Sequence, residues 1–156
     1  MKLLTTGILL TFLSVLGCTD NEVDMNRRDY TIKNETGYLV NISFYSRTNG
    51  TLNYDSPKTL ESNGGQITNK VELSIEFDDS EDYPKLAFSS DSVKVIFNNE
   101  KIYTNVFNSM TNTFSEPINR NLFKHSNYEN LGNEQYLFKI TQEDYENAQP
   151  CNENCN

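Results

Sequence analysis

The chain has 156 residues, with 13 Lys and Arg against 22 Asp and Glu, for a formal net charge of −9. That balance excludes nucleic acid as a partner, because such binding rests on neutralising phosphates with Lys and Arg, and it opposes docking on anionic lipid headgroups through protein charge. The length suits one domain, large enough to bury a core without disulfide scaffolding.

Met1 and Lys2 form a short basic start, and residues 3–16 then run without a charge. A membrane-spanning helix needs about 20 apolar residues, so this run reads as the hydrophobic region of an export signal. It ends in Val15-Leu16-Gly17-Cys18. This stretch resembles the lipobox of bacterial lipoproteins, although Val15 replaces the commoner Leu and Leu16 is bulkier than usual. The resemblance implies cleavage before Cys18, a diacylglycerol on its sulfur and usually an acylated new amine. Each buried CH₂ contributes about 0.8 kcal/mol, so two or three chains make a firm anchor. Loss of residues 1–17 removes one Lys and leaves 12 basic against 22 acidic side chains, a net charge of −10.

Residues 18–29 carry no apolar periodicity and read as a flexible acidic tether ahead of a domain at 30–149. Asp20, Glu22 and Asp24 resemble the surface-export signal of lipoproteins in Bacteroidota-type bacteria, which implies the outer face of the outer membrane. The alternative is a tether that is simply acidic, which leaves the periplasmic face open. The whole chain also resembles small surface lipoproteins of that group in composition.

Within the domain, Tyr30 and Ile32 alternate with Thr31 and Lys33, then a turn falls at residues 34–37. Tyr38, Val40, Ile42 and Phe44 line one face of a strand, and Asn49-Gly50 signals a hairpin to Thr51–Tyr54. A turn at Asn63-Gly64-Gly65 precedes the cleanest amphipathic strand, Val71, Leu73, Ile75 and Phe77 alternating with Glu72, Ser74 and Glu76.

Asp78, Asp79, Glu81 and Asp82 then crowd carboxylates into five residues. An exposed charged turn is one reading and a calcium loop the other, the latter without the EF-hand spacing. Leu86 and Phe88 suggest another strand. Val93, Val95 and Phe97 turn at Asn98-Asn99 into Ile102, Thr104 and Val106, a hairpin over residues 92–107. Asp91-Ser92-Val93 resembles a short O-glycosylation pattern of Bacteroidota envelope proteins.

Residues 108–133 are irregular, and so long a loop in a compact domain is often functional. Phe114 and Tyr128 are the candidate ligand-binding aromatics there. Tyr136, Phe138 and Ile140 form a last strand, and Thr141 with Asp144 suggests a capping box opening a helix over residues 142–148, ahead of Pro150. Cys151 and Cys155 lie in the polar tail, residues 150–156. In an oxidising compartment a disulfide is the default, with free thiols or a metal site as alternatives.

The expected fold is all-β, an antiparallel β-sandwich of seven or eight strands with a short C-terminal helix. The single histidine, His125, has polar sequence neighbours, reads as exposed, and lacks a nucleophile motif beside it. Neither a zinc ligand set nor a phosphate loop is apparent, and no cofactor is implied. The leading reading is a non-enzymatic envelope lipoprotein that binds an envelope protein or glycan. A structural subunit of an envelope complex comes second, and a small hydrolase with paired carboxylates third.

Overall fold

The computed structural model describes residues 25–48, 51–54, 57–74, 80–151 and 155. The first strand, β1 (Met25–Asn34), buries Arg28, Tyr30, Ile32 and Asn34 on one face. It starts earlier than the side-chain pattern suggests. Residues assigned to the tether, Met25 to Asp29, already pair with β5 (Gln66–Ser74) from Met25↔Ser74 onward. Main-chain pairing needs no apolar side chains, so hydropathy alone does not reveal this part of the strand.

The chain continues through β2 (Val40–Thr48), β3 (Thr51–Tyr54), β4 (Lys58–Leu60) and β5 to a short helix, α1 (Tyr83–Ala87). It then forms β6 (Ser92–Phe97), β7 (Lys101–Asn108) and β8 (Thr113–Phe114). After the long loop come β9 (Glu129–Gly132), β10 (Gln135–Ile140), α2 (Gln142–Asn147) and β11 (Gln149–Pro150). One sheet runs β5-β1-β10-β9; the other runs β11-β7-β6-β2-β3, with β4 on β2 and β8 on β7. The all-β class and the C-terminal helix follow the expectation. The described residues form eleven strands rather than seven or eight, the excess being short pieces such as β4, β8 and β11.

The pairing is not purely antiparallel. β1 and β10 run parallel, from Asp29↔Gln135 to Asn34↔Ile140. Parallel neighbours need a long crossover, and all of the second sheet except β11 lies between these two strands in sequence. The region of Leu86 and Phe88 is also corrected: it is the helix α1 and its C-cap, not a strand. Pro84 sits in the first turn, where its fixed φ favours helix and its missing N–H costs nothing. The Asn49-Gly50 turn, together with Ile75 and Phe77, lies outside the described residues.

Tyr30, Ile32, Phe138 and Ile140 of the first sheet face Val40, Ile42, Phe44, Val93, Val95 and Phe97 of the second across one core. Burying each such side chain contributes about 1.5–3 kcal/mol. The turn between β6 and β7 places Asn98 and Asn99 at φ 52° and 58°, the left-handed pair that a tight hairpin requires. Asn34 locks the end of β1: its amide nitrogen donates to the carbonyls of Tyr38, Leu60 and Glu61 at 2.8, 3.1 and 3.0 Å. Gly65 packs so tightly there that a Cβ would lie 2.3 Å from the Glu61 nitrogen.

Candidate functional site

The inward face of β7 is the reverse of the one that Ile102, Thr104 and Val106 suggest. Directly paired residues of neighbouring strands share a face, and Val93↔Asn105 and Val95↔Tyr103 are such pairs. Because Val93 and Val95 are buried, Tyr103 and Asn105 turn inward with them, while Thr104 and Val106 face out. A polar residue, Asn105, is thereby fully buried.

Tyr103 and Asn105 line a cavity of about 70 Å³. Pro117 and Arg120 of the long loop and Asp144, Asn147 and Ala148 at α2 complete it. It opens beside β7 between the part paired with β11 (Lys101, Ile102) and the part paired with β8 (Phe107, Asn108). Asn105 Oδ1 accepts from the Leu122 N–H at 3.0 Å. Its Nδ2 and the Tyr103 hydroxyl are buried with no hydrogen-bond partner. An unpaired buried polar group costs about 1–3 kcal/mol.

The charged wall is already satisfied. Arg120 Nε donates to Asp144 Oδ1 at 2.7 Å, its Nη2 donates to Asp144 Oδ2, and Nη2 also reaches the Lys139 carbonyl at 2.7 Å. The guanidinium lies 4.5 Å from the Phe138 ring centroid. Burial opposes its charge, but the hydrogen bond and charge of Asp144 prevail and hold Arg120 above its ordinary value. The second carboxylate oxygen of Asp144 accepts the Thr141 N–H at 2.7 Å, the expected capping box. Burial first, and then the Asp144 charge, push the Tyr103 phenol up, so it stays neutral. Helix α2 is held by Tyr145, which stacks on Tyr38 at 3.9 Å and lies under the Lys101 ammonium at 4.5 Å.

A second polar cluster surrounds His125, which is half-buried rather than exposed. Its backbone N–H donates to the Glu81 carbonyl at 2.7 Å, which draws the ring inward. Its Nδ1 shares a 2.8 Å hydrogen bond with the Tyr30 hydroxyl, and its ring meets Tyr136 edge-on at 4.6 Å. Arg28 lies 4.7 Å from the Tyr83 centroid and donates to Glu134 at 2.8 Å. Burial, then the Arg28 charge, hold His125 below its usual value.

Of the residues singled out in the sequence, Tyr128 points inward. It is 7 % exposed, and its hydroxyl donates to the Leu122 carbonyl at 2.8 Å, so it is a core residue. Its neighbours Leu122 and Phe123 are fully buried and carry it inward. Phe114 is half-buried against Phe107, with ring centroids 5.0 Å apart.

Asp78 and Asp79 lie outside the described residues, as does Cys18. Glu81 accepts the Ser126 N–H at 3.1 Å, and Asp82 pairs with Lys85 at 3.6 Å. Among the described residues, no three His, Cys, Asp or Glu side chains gather as a metal site. Ser92 lies within β6, paired on both sides. Cys151 and Cys155 form a disulfide with Cα atoms 5.2 Å apart. Asn105 and Tyr103 were missed because a buried Asn in an alternating strand looks like a solvent-facing one.

No protein-family model, curated protein or solved structure matches the chain.

Proposed function

We propose that this chain is a lipid-anchored bacterial envelope protein, held by acylated Cys18, that binds an envelope glycan or protein without transforming it. The leader with its lipobox-like Val15-Leu16-Gly17-Cys18 supports the anchor, and Asp20, Glu22 and Asp24 support the outer face of the outer membrane. One observation carries the binding role: the cavity of about 70 Å³ that Tyr103, Asn105, Arg120 and Asp144 line beside the long loop. The polar groups beside that cavity suit holding a ligand better than attacking it. Asp144 is committed to Arg120 and Thr141, which leaves it poorly placed to move protons.

A structural subunit of an envelope complex is the second reading. The extensive side-chain bonding of the long loop favours it, because Asn121 and Asn127 both tie that loop to itself.

The test is equilibrium binding of the acylated protein, purified in detergent, to fractionated envelope glycans and envelope proteins, with mass spectrometry of the recovered ligand. The proposal expects saturable binding of an unaltered ligand. Release of a cleaved product would make it an enzyme, and fixed co-purification without saturable binding would make it a structural subunit.

A further inference from the structure

We infer that the end of the sandwich where β1 begins rests on a lipid bilayer, with Leu86 and Met110 entering its interfacial layer. This rests on the Cys18 anchor proposed above and adds the domain's orientation on the membrane.

The topology gathers exposed apolar side chains at that end. β1 leads away from Met25, and β5 returns beside it to Ser74. At the far end of β1, Asn34 donates to the Tyr38 carbonyl just ahead of β2, so β2 starts there and runs back. It pairs Tyr45 with Ser92, Ser92 pairs with Val106, and β7 meets β8 just beyond, at Asn108↔Thr113. Met110 is at the tip of that hairpin, its N–H donating to Asn108 Oδ1 at 3.0 Å and its surface 96 % exposed. Helix α1 plugs the same end between the sheets. Arg28 lies 4.7 Å from the Tyr83 centroid, Phe88 stacks on Phe44 at 4.7 Å, and the Lys85 ammonium lies 4.6 Å from the Phe107 centroid. Tyr83, Pro84 and Ala87 are the buried side of this helix, and Leu86 is left exposed.

The opposite end has the reverse character. Glu35, Glu61, Glu100, Glu143 and Glu146 are exposed there, and among the described residues no large exposed apolar side chain accompanies them. Single exposed apolar residues are ordinary, but Met25, Leu86 and Met110 share one end, with Val106 just above them.

The anchor selects what covers them. Seven residue steps separate Cys18 from Met25, a reach of at most about 25 Å at roughly 3.6 Å each. The ten residues of β1 alone extend about 30 Å. A lipid on Cys18 therefore keeps the Met25 end near the bilayer, whereas the far end could touch it only with the tether fully stretched. Carboxylates at the near end are paired, Asp82 with Lys85 at 3.6 Å and Glu134 with Arg28 at 2.8 Å, so the contact is apolar rather than electrostatic. This orientation turns α2 and the cavity beside it away from the lipid, toward envelope ligands.

The experiment places the full acylated protein in phosphatidylcholine–phosphatidylethanolamine vesicles that carry a nitroxide lipid at headgroup depth. With Cys18 acylated and Cys151 bridged to Cys155, a thiol introduced by Leu86→Cys, Met110→Cys, Glu61→Cys or Glu146→Cys takes a single fluorophore. The inference expects quenching at least about threefold stronger at the Leu86 and Met110 positions than at the other two, and unchanged by raised salt. The double variant Leu86→Asp, Met110→Asp should still float with the vesicles through its acyl chains. A fluorophore introduced by Thr111→Cys should lose its quenching in that variant. Flotation with equal quenching at all four positions overturns the orientation and leaves the anchor standing. Failure of the native protein to float removes the anchor, and the inference with it. Shielding of the Leu86 and Met110 positions that needs no lipid and grows with protein concentration assigns this end to a second copy of the chain, which also overturns it.

Discussion

Tyr30 on β1 and His125 in the long loop share a 2.8 Å hydrogen bond across 95 positions of sequence. The bond fixes the end of the loop to the first sheet, and it sets the histidine among Arg28, Glu81, Glu134 and Tyr136.

This placement predicts a pH dependence of stability. His125 is held below its ordinary 6.5, by burial first and by Arg28 second, while Glu81 and Glu134 pull the other way. In the window beneath 6.5 the unfolded chain therefore takes up a proton that the folded chain refuses. The contribution is complete above that window and is lost as pH falls through the folded value. Urea midpoints should fall between pH 7.5 and pH 5.5, and His125→Gln should flatten that slope. An equal slope in the variant would assign the dependence to other groups.

The ion pairs should differ sharply in worth. Asp144 is 5 % exposed and is the counter-charge of Arg120 as well as the cap of α2, so Asp144→Ala should cost about 3–5 kcal/mol. Lys139 and Glu129 also pair, but in solvent. Lys139→Ala should leave the denaturation midpoint within error of the native value. Equal losses in the two variants would contradict the burial argument.

Asn34 is a polar hub in the core, with its amide nitrogen on three carbonyls and its oxygen accepting the Thr36 N–H at 2.9 Å and the Thr36 hydroxyl at 2.8 Å. Asn34→Ala strands those groups and should cost about 3 kcal/mol, a fall in Tm of roughly 6–12 °C for a domain of this size. Asn34→Asp should be no better, since it turns an acceptor toward carbonyls. Thermal unfolding followed by circular dichroism checks both.

The Cys151–Cys155 bridge closes a loop with a sequence separation of only four. Loop-entropy reasoning gives it at most about 2 kcal/mol. Reduction should shift the urea midpoint slightly and leave the sheets intact. A large loss of structure on reduction would show that the tail stabilises β7 far more than its two paired residues in β11 suggest.

The strands were legible wherever one face is apolar and the other polar, as at Tyr30 and Ile32 or Val93, Val95 and Phe97. The capping box at Thr141 was legible because both partners lie within one helical turn. The β1–β10 pairing was not, since parallel register between distant segments leaves no local signal. Helix α1 hid behind the two-residue spacing of Leu86 and Phe88, although Pro84 ahead of them was a usable sign. The cavity was least legible of all. In β7 the buried residues are Asn105 and Phe107 while Val106 is 37 % exposed, so the alternation of Ile102, Thr104 and Val106 points to the wrong face and pairing with Val93 reveals the right one.

The anchored-module account is tested most directly by protease shaving of intact cells, with native protein compared with Cys18→Ala and with a form in which Asp20, Glu22 and Asp24 are neutralised. The account predicts that native protein is cell-bound and digested from outside, that the neutralised form is protected, and that Cys18→Ala leaves the membrane fraction. Native protein that is protected until the outer membrane is opened would contradict the surface address, and membrane retention of Cys18→Ala would contradict the lipid anchor.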